Sequence, residues 1–250
     1  MKINKVIIPL AELLLFFTVW QGAVLITRAP DYLFPSPLKV FSILISNSRL
    51  ILSNALLTFG EAFTGFILAN FISVLIAFFI AFNGKIENIV MPVAIAIKTI
   101  PVIALTPLLI LWFGSGSSSK IITAMLICFF PALVNVLRGI KSLEANLLAL
   151  FKVYEASKMQ LVKMLIFPSI LPYLFSALKV SSSLAVVGAL VGEFIGANKG
   201  LGFLIISGYY NMNTAFVFAA ISVSSIMGIS FYYLIHFFEK KLVLKSELIS

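Results

Sequence analysis

Few polar side chains interrupt the long apolar runs of this sequence, and those few are the ones that could do chemistry. Four stand out as candidates for lining a solute path: Glu61, Lys98, Asn135 and Glu193. A charge inside a hydrophobic run is costly and ordinarily faces a partner or a cavity. Lys98 could draw in an anionic solute, or pair with a carboxylate such as Glu61 or Glu193. Glu193 precedes the glycine-rich Gly196–Gly202 and could shape a gate there, or be a helix-end carboxylate held by loop amides. A second group is amphipathic: Glu155, Ala156, Ser157, Lys158, Gln160 and Lys163 alternate with Met159, Leu161, Val162, Met164 and Leu165. That pattern predicts a short helix, which Pro168 should stop. Too polar to cross a bilayer, it must lie on the membrane surface or dock on a soluble partner.

Catalytic chemistry finds no residues to carry it. One cysteine (Cys128) and one histidine (His236) permit neither a disulfide framework nor a thiolate or paired-histidine metal site. His236 reads as part of an aromatic belt at the end of the last span. No phosphate-binding glycine loop with Lys and Ser/Thr occurs, and no G-x-S-x-G elbow. No catalytic residue, metal or cofactor is expected, and any ATP used must be bound and hydrolysed by another chain.

The elements that must position these residues are membrane helices. The chain has 250 residues, 61% of them apolar and only 11% charged, with a mean hydropathy of +1.13. Soluble domains hold about a quarter charged residues. The net charge of +9 is spread over short connections, which argues for membrane topology and against nucleic acid.

About six spans fit, at about 20 residues each. Val6–Thr27 reads as a retained first span rather than a cleaved signal. A possible short interfacial helix, Leu38–Ser48, precedes span two, Leu56–Phe82. Span three, Ile89–Phe113, carries Pro92, Pro101 and Pro107 and should be kinked. Span four is Lys120–Gly139, span five Tyr173–Phe194 and span six Thr214–Phe238. Of the 18 lysines and arginines, Arg28, Lys39, Arg49, Lys120 and Lys199 fall on one set of connections. Lys98 and Lys179 fall within spans, Lys179 close enough to an end to snorkel to the headgroups. All the rest, Lys2 included, lie on the other set. The positive-inside rule therefore predicts both termini, and the charged loop 141–172, in the cytoplasm.

Three ordered stretches resemble one family. Ile100–Ile140 is similar to the P-x-x-A-L-x-P-L-x-x-x-W-F-G-x-G-x-x-S-K…F-F-P…N…G pattern of the inner-membrane permeases of bacterial ABC importers of the nitrate, sulfonate and taurine type. Ala156–Pro172 resembles the second half of the cytosolic loop of such permeases, and Glu193–Leu204 their E…G-L-G-[FY] segment. The loop departs from the pattern. Counted back from Pro168, its usual Glu-Ala-Ala falls on Ala149, Leu150 and Phe151, and its usual glycine on Glu155. Glu61 stands where an arginine is common.

The resemblance implies an all-α type I ABC importer permease fold, a single domain over 1–250 with core spans at 56–240 and the first span and connection at 1–55. It implies a multi-pass protein of the bacterial plasma (inner) membrane, paired as a homodimer, with cytosolic ATPase subunits below and an external or periplasmic solute-binding protein above. The helix between spans four and five would couple ATPase to pore. The cargo would be a small anionic or vitamin-precursor solute: nitrate, a sulfonate, taurine or a pyrimidine precursor. The rival reading is a stand-alone ion-coupled transporter with Glu61, Lys98 or Glu193 as relay.

Overall fold

In the computed structural model, which describes residues 4–247, every regular element is helical. Lys2, counted above among the positive charges, lies outside these residues. Helix α1 (Asn4–Thr27) leads through a connection to α2 (Pro37–Ser46) and α3 (Ser48–Phe82). Ser36 caps α2, accepting from the Lys39 N–H, with Pro37 at the first helical position. The Trp20 indole N–H of α1 donates to the Pro35 carbonyl at 3.1 Å, which ties α1 to the entry of α2.

Next come α4 (Lys85–Thr99), α5 (Val102–Phe113), α6 (Ser117–Lys141) and α7 (Ala145–Val153). Helix α8 (Lys158–Leu161), a single π turn (Val162–Ile166) and α9 (Phe167–Glu193) run on without a break. Helices α10 (Leu201–Tyr210) and α11 (Thr214–Glu247) follow.

Four described helices are long and apolar enough to cross a membrane: Ser48–Phe82, Ser117–Lys141, Lys158–Glu193 and Thr214–Leu242. The expected third span is instead two helices, α4 and α5, that meet at 98°. The break falls at Ile100–Pro101, both extended, because a proline disfavours helical geometry in the residue before it. Pro92 and Pro107 lie inside α4 and α5 without breaking them. Helix α1, Asn4–Thr27, has 24 residues, and its stretch Ala11–Thr27 is apolar.

The expected separate helix ending at Pro168 is also corrected. The chain stays helical through that proline, forming one 36-residue rod from Lys158 to Glu193. The π turn before it sends the Phe167 N–H back to the Val162 carbonyl. A wide turn of this kind leaves a carbonyl without a helical donor, so the N–H that proline lacks is lost where it costs least.

The core lies where α3, α6 and α9 cross, and small residues let their backbones approach. Ala62, Ala69, Ala124, Ala185 and Ala189 are fully buried. A Cβ on Gly188 would come within 2.6 Å of the Ala124 Cα, and one on Gly65 within 2.7 Å of the Ala124 Cβ. Where lipid is as apolar as the side chains, such close packing is what holds helices together. Helix α11 adds Phe231, buried against Phe59, Phe63 and Phe66 with ring centroids 4.9–6.0 Å apart.

Candidate functional site

The candidate residues gather at the two ends of the Lys158–Glu193 rod. At its far end, α10 begins with three consecutive N–H groups that have no helical acceptor. The Gly200 N–H donates to Asn54 Oδ1 (2.6 Å), the Leu201 N–H to Thr58 Oγ1 (2.8 Å) and the Gly202 N–H to Glu193 Oε2 (2.5 Å). The Thr58 hydroxyl in turn donates to Glu193 Oε1 at 2.6 Å. Asn54 and Thr58 stand one turn apart on α3, Glu193 closes α9, and the carboxylate also suits the positive end of the α10 dipole. Gly200 has φ +106°, a region that strongly favours glycine, and a Cβ there would run into the Glu193 carboxylate.

Glu61 joins this clasp from the next turn of α3. It is 5% exposed and Glu193 2%. Its carboxyl group lies beside that of Glu193, with Ser117 and Lys120 of α6 facing it, and its Oε2 has no hydrogen-bond partner. Lys120 is itself only 2% exposed, and its ammonium donates to the Ser115 carbonyl. The structure therefore brings Glu61 and Glu193 together, but with Lys120 as the nearby cation.

Lys98, expected to pair with one of these carboxylates, sits in the last turn of α4 beside the break. Its ammonium lies over the Phe130 ring, 4.6 Å from the centroid. The Asn135 amide is turned to its own helix, donating to the Pro131 carbonyl at 2.8 Å. Lys179 does not snorkel freely: its ammonium holds both oxygens of Glu239 at 2.7–2.8 Å. His236 Nδ1 lies 2.9 Å from the same carboxylate, so the belt histidine is part of a tie between α9 and α11.

At the near end, α7 starts at Glu144 and buries none of its residues. Val153 and Tyr154 project, Tyr154 with 76% exposure. The chain reverses at Glu155, whose φ of +50° is left-handed. Ser157 and Gln160 then start the rod with a reciprocal cap: the Gln160 N–H donates to Ser157 Oγ at 3.3 Å and the Ser157 N–H to Gln160 Oε1 at 2.7 Å. Ala156 and Gln160 also border a cleft of about 250 Å³ between α7 and the rod, with Leu150, Phe151, Tyr154 and Met164. Lys158 lies over the Phe82 ring at 5.8 Å, while Lys163 is exposed in the π turn. Of the six loop residues singled out, Ser157 and Gln160 are thus occupied in shaping the loop. Val153 and Tyr154, its most prominent apolar knob, were missed because the Val153–Tyr154 pair belongs to α7 and its end, outside the charged pattern.

Among the described residues no group of three or more His, Cys, Asp or Glu could hold a metal ion. Residues 69–244 match the family described as binding-protein-dependent transport system inner membrane component. The chain belongs to this family. It is an ABC transporter permease. The permease is 35% identical over 222 residues to the formylaminopyrimidine transport permease protein ThiX of Halalkalibacterium halodurans, covering 88% of each chain. It is 34% identical over 233 residues to the riboflavin transport system permease protein RibX of Chloroflexus aurantiacus, covering 92% of this chain and 87% of that one. A chain of the MetNI methionine ABC transporter, solved in an inward-facing conformation, superposes with a TM-score of 0.65 at 18% identity, covering 79% of this permease and 96% of that chain. The fold is that of type I ABC importer permeases.

Proposed function

We propose that this permease is the pore-forming subunit of an ATP-driven importer of a small solute, coupled to a separate ATPase through the loop at 141–172. The observation that carries this reading is the unbroken 36-residue helix from that loop to Glu193. At about 1.5 Å per residue it is a rod of roughly 54 Å, enough to cross the bilayer. A displacement imposed on the loop is carried along it to the far-end clasp, which supplies the two-state coupling that alternating access requires.

In this reading 1–250 is a single permease domain, two copies enclose the pore, and both termini lie on the loop side, in the cytoplasm. ATPase subunits dock there, with Val153 and Tyr154 as the knob and Lys158 and Lys163 flanking it. A solute-binding protein delivers cargo at the opposite end. ATP is bound and hydrolysed by the partner. The ThiX and RibX relatives favour a vitamin-precursor solute over an inorganic anion.

The test is uptake into proteoliposomes holding the permease with and without its ATPase. Uptake only with ATPase and ATP is expected. A cysteine at Tyr154 should cross-link to the ATPase. The buried carboxylates Glu61 and Glu193 favour one second reading, an ion-coupled transporter that works alone. Solute accumulation driven by a proton gradient, in vesicles lacking any ATPase, would establish it instead.

A further inference from the structure

Beside the clasp, at the rod end away from the loop, the Phe194–Ala197 segment and one face of α10 enclose a cleft of about 550 Å³. Small-molecule sites typically measure roughly 300–1,000 Å³. Phe203, Ser207 and Tyr210 recur on that face of α10 at helical spacing, and Phe194 faces them from beyond the end of α9. We propose that this cleft is a solute-binding site of the permease, built for a small, planar, uncharged nitrogen heterocycle and not for an anion. The proposal deepens the importer reading above and rests on it.

Three features fix the class. The aromatic rings of Phe194, Phe203 and Tyr210 offer flat apolar faces, on which a planar ring stacks better than a tetrahedral sulfonate does. Besides Glu193, the polar side chains are neutral: the Ser207 and Tyr210 hydroxyls and the Asn211 amide. The Asn211 amide nitrogen is committed to the Ser207 carbonyl at 2.8 Å, which leaves its oxygen to accept a ring N–H or amino group.

The cleft offers an anion no counter-charge. No lysine or arginine lines the cleft, and its one carboxylate, Glu193, is filled by the Thr58 hydroxyl and the Gly202 N–H. The nearest buried cation, Lys120, is turned to Ser115. An anion would enter partly desolvated and without a counter-charge. Glu193, which lines the cleft, also holds the start of α10 through the Gly202 N–H.

The test is equilibrium binding of a tritiated aminopyrimidine to the purified permease–ATPase complex in nanodiscs, with methanesulfonate as competitor. Saturable binding that methanesulfonate does not displace is expected. Asn211→Ala should weaken it about tenfold, the loss of one hydrogen bond, and Ser207→Trp should abolish it by filling the cleft. Asn211→Ala changes an exposed side chain, so its result stands even if the tryptophan variant does not fold. Displacement by methanesulfonate, absence of aminopyrimidine binding, or unchanged affinity in Asn211→Ala overturns the proposal. If the ATPase still co-purifies with the permease in those cases, the importer reading survives; if it does not, that reading falls too.

Discussion

The two ends of the Lys158–Glu193 rod are built on opposite principles. At the loop end α7 buries nothing, apolar side chains face outward, and the chain turns through a left-handed Glu155. At the far end three backbone N–H groups meet an asparagine, a threonine and a carboxylate, all of them buried. The far end holds polar groups that would be unpaired if the structure opened, and the loop end leaves apolar surface exposed. The rod joins an open apolar surface to a buried polar node in which Glu61 Oε2 alone is left over among the clasp's side-chain atoms.

The sharpest way to break that contrast is at Gly200. Alanine there has a disfavoured φ of +106° and a Cβ directed into the Glu193 carboxylate. Strain of about 1–3 kcal/mol and comparable overpacking give an expected loss of about 3 kcal/mol or more. Thermal melting followed by size exclusion in detergent should show it as a large fall in Tm. An unchanged Tm would mean that α10 is not held as tightly as the clasp geometry requires.

Thr58→Val is milder and more specific. The valine keeps the volume but removes both the acceptor for the Leu201 N–H and the donor to Glu193. One buried donor left unpaired costs about 2 kcal/mol. The same melting assay should place this variant between wild type and Gly200→Ala. A Tm equal to wild type would show that Asn54 and Glu193 hold α10 alone.

Much of this architecture was legible in the sequence, and the misses have separate physical causes. Span four, the ends of spans two and five and the start of span six fall within three residues of the observed helices, and the expected Leu38–Ser48 falls close to α2. Helix α3 begins at Ser48, earlier than the Leu56 expected, because Arg49 and Asn54 look like loop residues. Asn54, Thr58 and Glu61 are nevertheless spaced along one helical face, a signal that was available and went unused. Lys120 follows a run of glycines and serines and looked like a loop charge; only the packing of α6 on α3 and α9 buries it. Pro168 looked like a stop because local preference forbids helix there, and a single π turn accommodates it. Of these misses, the burial of Lys120 is the one in which tertiary packing overrides a local rule.

At the loop end the contrast can be sharpened by removing strain. Glu155 holds φ +50°, where a residue with a Cβ is disfavoured by about 1–2 kcal/mol. Glu155→Gly relieves that strain but adds freedom to the unfolded chain, for a net gain of about 1 kcal/mol. Tm should rise slightly and uptake should be kept. A fall in Tm would show that the Glu155 side chain contributes more than its backbone costs.

Tyr154→Ala should change stability least and function most. The side chain is 76% exposed, and surface substitutions of this kind are ordinarily within about 0.5 kcal/mol. Melting should therefore be indistinguishable from wild type. If the loop is an unfilled half of an interface, the same variant loses an aromatic anchor, and such anchors carry about 2 kcal/mol or more of binding. ATPase affinity should then drop by about thirtyfold, and uptake with it, while the far-end clasp and membrane insertion stay intact. Normal ATPase binding with normal Tm would make the projecting Val153–Tyr154 knob a lipid-facing surface, and the open end of the rod would need another explanation.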